Sequence, residues 1–292
     1  MTFRKYEIWH DENKENGYHH GILFVPLDKK DDLIKYLKQI RDEHSVPYDN
    51  DLKFSGALKS KQRGRIVSNN LALFSHIIKT KIDQSTKLYN QNGKFKYKKE
   101  FNHFLELNDL FGCRFGFLRI EDNMQSLYFD SYAKKVETTL RFLLKGCCHG
   151  MFDDLNTIEI MSLYFDGNEH HVGGFDIPHI LKGDFRPYCK VPTTVNIDAR
   201  QIKDRNDDTK LIMNLVDNVV GAIVAVINEH KDENMVLYPL REIHKRVVEN
   251  MIFTNKNSKW YKSISVSEFK LVDDQITFPS IYRSPDQGVL IF

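Results

Sequence analysis

Cysteine, single-sign charge and long apolar runs are all scarce in this sequence, and each scarcity narrows what it can be. Four cysteines occur in 292 residues, Cys113, Cys147, Cys148 and Cys189, with no CxxC pair and no regular spacing. That pattern speaks against a disulfide framework or a structural zinc and favours free, mostly buried thiols. Neither charge sign dominates: 42 Lys and Arg stand against 40 Asp and Glu, a formal net charge of +2. Whole-chain electrostatics therefore do not mark a nucleic-acid binder, and local patches must carry any such argument. Nothing at the start resembles a signal peptide, because Arg4, Lys5 and Glu7 interrupt it, and no window approaches the roughly 18 apolar residues of a membrane span. The longest apolar-rich stretch, LVDNVVGAIVAVI, carries an internal Asp-Asn. A cytoplasmic protein without membrane partners is expected.

Repeats, low-complexity tracts and Pro/Gly/Ser linkers are also missing, and 41% hydrophobic content supports an ordinary core. The expectation is one domain over residues 1–292, with a basic insertion at about 59–110 and a C-terminal extension at about 229–292.

What is present reads as alternating strands and helices. Residues 3–10 and 21–26 form an antiparallel pair across a polar connection, and 27–44 a helix with Leu33, Ile34, Leu37 and Ile40 on one face. Residues 52–58 are extended, 62–82 helical, 111–120 a strand and 131–148 a helix with Val136, Leu140, Leu143 and Leu144 inward. The apolar run NTIEIMSLYFDG has the profile of a central strand ending at an acidic tip. A strand at 195–202, a helix at 210–228, a helix at 239–251 and strands at ISVSEFKLV and QITF follow.

The stretch WHDENK poses a question. A run of apolar and β-prone residues, Tyr6, Ile8 and Trp9, ends in two adjacent carboxylates, Asp11 and Glu12. An acidic hairpin tip is one answer, since Asp, Asn and Gly favour turns. A metal site is the other, and it needs partners. Asp166 ends a second strand, and Asp217 lies in MNLVDNVVGAIVAV, a helix apolar on nearly every side, where an unpaired carboxylate is costly to desolvate. Two strand-end carboxylates and one on a packed helix match a two-metal phosphodiester site, because carboxylate oxygens are hard ligands suited to Mg²⁺. A capping or paired Asp217 and chance acids at loop tips are the plainer reading. Glu12 is the natural fourth carboxylate, although it points away from Asp11 if the strand stays regular. His19-His20, His170-His171 and Cys147-Cys148-His149 offer zinc-type ligands, but adjacent strand residues face opposite sides and chelate one ion poorly.

The order of these residues resembles a family. A strand followed by Asp11-Glu12-Asn13-Lys14, the segment Asp51-Leu52-Lys53-Phe54-Ser55, a strand ending in Asp166, and Met213-Asn214-Leu215-Val216-Asp217 on a late helix resemble the bacterial proteins grouped as domain of unknown function 3800. The family signatures are Asp-Glu-Ser-Gly, Glu-hydrophobic-Lys-aromatic-Ser and Leu-Gln-Leu-Ala-Asp. Here Asn13-Lys14 replaces Ser-Gly and Asn214 replaces Gln, and the likeness runs from residue 3 to about residue 227.

The resemblance implies an α/β fold with a ribonuclease H-like mixed sheet flanked by helices, and a bacterial nuclease or related phosphodiester-cleaving enzyme using two Mg²⁺ or Mn²⁺ ions. It makes Asp11, Asp166 and Asp217 metal ligands, Glu12 a further ligand or supporting residue, and Lys53 a phosphate-positioning residue. A solvated edge lysine is the ordinary alternative for Lys53. His170 or His171, after the Asp166 tip, could assist as general base, although such loop histidines are more often surface residues. The basic runs at 59–65 and 93–101 supply Lys59, Lys61, Arg63, Arg65, Lys94, Lys96 and Lys98 as phosphate contacts, with Phe95, Tyr97 and Phe101 available to stack on bases. Solvated charge is the default for such runs. The expected partner is DNA or RNA. The alternatives are a non-catalytic nucleic-acid-binding or assembly subunit on the same fold, and an interaction module in which helix 211–227 packs a homodimer with Asp217 pairing across it.

Overall fold

The computed structural model describes residues 3–57, 60–78, 88–89, 95–96, 112–120, 129, 131–152, 157–167, 189–191, 195–231, 263–272, 275–277, 282–283 and 290–291. Strand β1 (Arg4–Asn13) turns into β2 (Tyr18–Pro26). The turn places Asn16 at φ 52° and Gly17 at φ 136°, the left-handed conformations that Asn and Gly tolerate best. A single 3-10 turn, Leu27–Lys29, leads to α1 (Lys30–Glu43). After an extended passage come a one-turn α2 (Phe54–Ala57) and α3 (Lys61–Ile77). Two short strands, β3 (Leu88–Tyr89) and β4 (Phe95–Lys96), pair with each other and, among the described residues, with no other strand. Then follow β5 (Arg114–Ile120), α4 (Tyr132–Met151), β6 (Ile158–Phe165), β7 (Cys189–Lys190) and β8 (Asn196–Asp198). The chain continues through α5 (Thr209–Lys231), β9 (Ile264–Val272) and β10 (Gln275–Thr277) to the isolated pair β11 (Tyr282–Arg283) and β12 (Leu290–Ile291).

One mixed sheet of eight strands organises the protein, in the order β10-β9-β5-β2-β1-β6-β7 with β8 also paired to β6. β1, β2 and β5 form an antiparallel meander; β6 joins β1 in parallel, and β7 and β8 join β6 in parallel. Residues 264–272, expected in a C-terminal extension, are not peripheral: β9 pairs in parallel with β5 and belongs to the central sheet. The expected helix at 239–251 lies outside the described residues.

Period-two alternation divides the sheet between two cores. On one face Trp9, Leu23, Val25, Phe115, Phe117 and Tyr164 pack with α1, α3 and α5; on the other, Ile8, Ile22, Phe24, Leu118, Ile160 and Phe165 pack with α4. The four cysteines are buried and free.

Helix α5 lies against β1, β2, α1 and α3. Contrary to the expectation that no window approaches a membrane span, Thr209–Asn228 is long and apolar enough by length and composition, yet nearly all of it is buried inside this fold. Its apolar positions are covered within the chain, so the homodimer reading through this helix is not carried forward.

Two glycines set how closely α5 approaches. A Cβ on Gly21 of β2 would meet Val220 Cγ2 at 2.1 Å, and a Cβ on Gly221 would meet Phe54 Cγ at 2.5 Å. Gly146 in α4, by contrast, has nothing within 4 Å of where its Cβ would sit. Gly221→Ala is therefore expected to destabilise by about 1–3 kcal/mol through overpacking against Phe54. Gly146→Ala should stabilise by about 0.5–1 kcal/mol through helix propensity. Urea titration of both variants checks this contrast; equal effects of one sign would contradict the packing at Gly221.

Candidate functional site

Alternation along β1 sends Trp9 and Asp11 to the α5 face and Ile8, His10 and Glu12 to the α4 face. β1 and β6 run parallel with His10 opposite Phe165, so Asp11 and Asp166 follow as the next residues at the same end of two neighbouring strands. α5 crosses this end and contributes Asp217. Three residues far apart in sequence thus come to one sheet end, with Asp166 and Asp217 within electrostatic reach of Asp11. Asp11 is 6% exposed, and its carboxyl is pushed well above the usual range by burial first, then by the charges of Asp217 and Asp166. The Glu12 backbone N–H donates to it and opposes the shift in part.

Asp217 answers the question raised by a carboxylate in an apolar helix. Its Oδ2 accepts the backbone N–H of Phe54 at 2.6 Å, the first residue of α2. One turn before it, Asn214 Oδ1 accepts the Leu52 N–H at 3.1 Å; one residue after it, Asn218 Nδ2 donates to the Leu52 carbonyl at 2.7 Å. Asn218 Oδ1 in turn accepts from Asn70 Nδ2 of α3 at 3.0 Å. Asn214, Asp217 and Asn218 occupy i, i+3 and i+4, one helix face, and together they hold the extended backbone of 52–54. Burial raises the Asp217 carboxyl to about 6, while the Phe54 N–H and the charge of Lys53 pull it down. Asp166 Oδ1 accepts the Ile202 N–H at 2.8 Å. Among the described residues none of the three carboxylates forms a salt bridge, and Lys53 supplies the nearby cationic charge at Asp217.

The other expected site residues divide. Lys53 is exposed, and its charge acts on Asp217. Glu12 does not join the cluster: β1 stays regular through Asn13, so Glu12 turns to the opposite face, where it bonds Lys14 at 3.0 Å and accepts from the Tyr18 hydroxyl. Lys61 and Arg63 are exposed on the first turn of α3, and Arg65 is half-buried. Lys59, Lys94 and Lys98 fall outside the described residues, as do His170 and His171; Lys96 lies in β4. His19 stacks on Phe117 while His20 bonds Thr139 of α4 at 2.7 Å, opposite faces that cannot share an ion. Sequence reasoning did not assign the amide pair flanking Asp217. Its signal was available, as two asparagines at i−3 and i+1 in a stretch, 211–227, whose other residues besides Asp217 are Leu, Ile, Met, Val, Ala and Gly.

Three hard carboxylates with uncompensated charge fit a divalent cation by donor chemistry. Among the described residues, however, no group of three or more His, Cys, Asp or Glu side chains is clustered as a ready ligand set. No protein-family model matches the chain, and neither does any curated protein or any solved structure.

The raised carboxyls give the site a pH signature. A folded value of about 6 for Asp217 lies above the ordinary ~3.9, so its cost to stability is absent below pH ~4 and complete above about 6. Asp217→Asn keeps an acceptor for the Phe54 N–H and removes the charge. In metal-free buffer it should be more stable than the native protein at pH 7.5, by on the order of 1–2 kcal/mol, with the advantage fading toward pH 4. Melting curves across that range test it, and a pH-independent difference would refute the charge argument.

Proposed function

We propose that this protein is a Mg²⁺- or Mn²⁺-dependent enzyme that cleaves phosphodiester bonds in nucleic acid, built on a ribonuclease H-like sheet of the kind implied by the resemblance to domain of unknown function 3800. One observation carries the reading: Asp11, Asp166 and Asp217, from three distant segments, share one end of the mixed sheet closely enough that the other two add to the effect of burial in raising the Asp11 carboxyl. A fold alone does not establish activity; the charge at this end of it is the stronger argument. Like charges are held together at a cost when a bound cation is to relieve it.

In this reading Asp11, Asp166 and Asp217 would hold the ions, which when bound would supply positive charge to the phosphate and activate a water. The protein's own residues do the positioning. Asn214 and Asn218 fix residues 52–54, and this fixes Lys53 at the rim, exposed, where its ammonium meets a phosphate oxygen. Lys61 and Arg63, exposed on α3 a short distance along the chain, are suited to flanking backbone phosphates.

A second reading has an observation of its own. Asp217 and Asp166 each accept a backbone N–H, so both also serve the fold, as they would in a nucleic-acid-binding subunit without turnover. Mn²⁺-dependent stabilisation and cleavage of labelled single- and double-stranded DNA and RNA separate the two. The enzyme reading expects both signals, and Asp11→Asn should lower cleavage by more than about 100-fold, beyond what losing an outer partner of a metal site costs. Nucleic-acid binding with no cleavage and no Mn²⁺ effect would establish the non-catalytic subunit instead.

A further inference from the structure

Arg205 lies in the polar loop before α5, where a charged residue is ordinarily solvated, yet its side chain is 0% exposed. Its guanidinium donates to five acceptors. Nη2 reaches the carbonyls of Phe165 at 2.7 Å, Arg200 at 3.0 Å and Asp198 at 3.3 Å. Nη1 reaches Asp198 Oδ2 at 2.9 Å and Thr209 Oγ1 at 3.2 Å. Asp198 is also gripped by Arg200, whose Nη2 bridges to Asp207 at 2.8 Å, and Asp207 accepts both the N–H and the hydroxyl of Thr209.

These acceptors belong to the segments that carry the carboxylates. Phe165 immediately precedes Asp166. Arg200 lies two residues before Ile202, whose N–H Asp166 accepts. Thr209 opens α5, the helix bearing Asp217. The loop is close-packed here: Gly167 donates its N–H to the Arg200 carbonyl at 3.3 Å, and a Cβ on Gly167 would meet the Ala199 carbonyl oxygen at 1.5 Å. A planar guanidinium offers its donors in a fixed fork, so one side chain sets the end of β6, the loop after β8 and the start of α5 relative to one another.

Resting on the metal-site reading above, we propose that Arg205 is a positioning residue that sets the spacing between Asp166 and Asp217 and thereby the affinity of that site for a divalent cation. It touches neither carboxylate. It acts through the backbone on which each is mounted, and a lysine, with three donors on a flexible stem, cannot reproduce the five contacts.

The test is calorimetric titration of the full chain with Mn²⁺ alone. Arg205→Lys and Arg205→Ala should each weaken binding about tenfold or more, the range found for outer partners of metal ligands. Guanidinium at roughly tens of millimolar, below denaturing concentrations, should restore binding to Arg205→Ala. Leu140→Ala, which opens a cavity in the α4-side core, controls for lost stability and should leave Mn²⁺ affinity within about twofold. Should the Arg205 variants fail to fold, Asp198→Asn, which removes the charged acceptor and leaves the guanidinium, is expected to weaken binding in the same direction. Native protein that binds Mn²⁺ while the Arg205 or Asp198 variants bind it equally overturns the role of Arg205 alone. Native protein that binds no Mn²⁺ overturns the site reading and this proposal together.

Discussion

The carboxylate of Asp217, set in a helix whose neighbours are Val, Ile and Leu, is the constraint on which the site depends. A charge there is tolerable only if polar groups come to it, and the groups that come are backbone atoms of residues 52–54. Those atoms need partners in turn, because an extended segment laid against a helix finds no strand to pair with. Asn214 and Asn218 supply them. The missing side chain at Gly221 leaves room for the Phe54 ring, and the missing one at Gly21 lets α5 lie close over β2. Close approach of α5 is what brings Asp217 within electrostatic reach of Asp11 on the neighbouring strand. Helix packing and site geometry are therefore one arrangement here.

Charge balance then separates Arg205 from Lys53. Arg205 is buried and paired with Asp198, and its two terminal nitrogens also donate to backbone carbonyls and the Thr209 hydroxyl, so its charge is already matched. Lys53 is exposed and makes no salt bridge among the described residues, so it remains available to an incoming anion. Among the described residues, three carboxylates against Lys53 leave net negative charge at the sheet end. Burial first, and at Asp11 the charges of Asp217 and Asp166 as well, raises the proton affinity of Asp11 and Asp217, the same quantity a hard divalent cation would exploit by displacing the proton.

Much of this was legible in the sequence, for local reasons. Apolar, β-prone runs located β1, β2, β5 and β6, one-face helical spacing located α1 and α4, and an apolar run of helix length located α5. Asp11 and Asp166 stood out as strand-end acids, and Asp217 as a charge in an apolar context. What was not legible depends on contacts distant in sequence. Arg205 reads as one charge among many in KDRNDDTK, and only the return of β6 and β8 beside it makes it a buried group bonded to five acceptors. The parallel pairing of β9 with β5 bridges more than a hundred residues, and no local signal announces it. Composition misled at α5 in the other direction: a helix covered on every side by its own protein is as apolar as one covered by lipid.

The adjacent pair Asp11-Glu12 shows why a site on a sheet draws its ligands from several elements. Successive side chains of a strand face opposite sides, so a regular β1 can give one acid to the α5 face and must give the next to the α4 face. Asp11 feels the charges of Asp217 and Asp166; Glu12 meets Tyr18 and Lys14, with the Lys135 ammonium 4.4 Å from the Tyr18 ring centroid. Bringing both acids to one ion would require a bulge between them, and the β1–β2 ladder runs unbroken from Tyr6 to Asn13. A second and third carboxylate on the α5 face must therefore come from a neighbouring strand and from the helix above. Both of those elements are bonded by Arg205, through the Phe165 carbonyl and the Thr209 hydroxyl, which is the basis for proposing that a residue touching neither Asp166 nor Asp217 governs how they stand to one another.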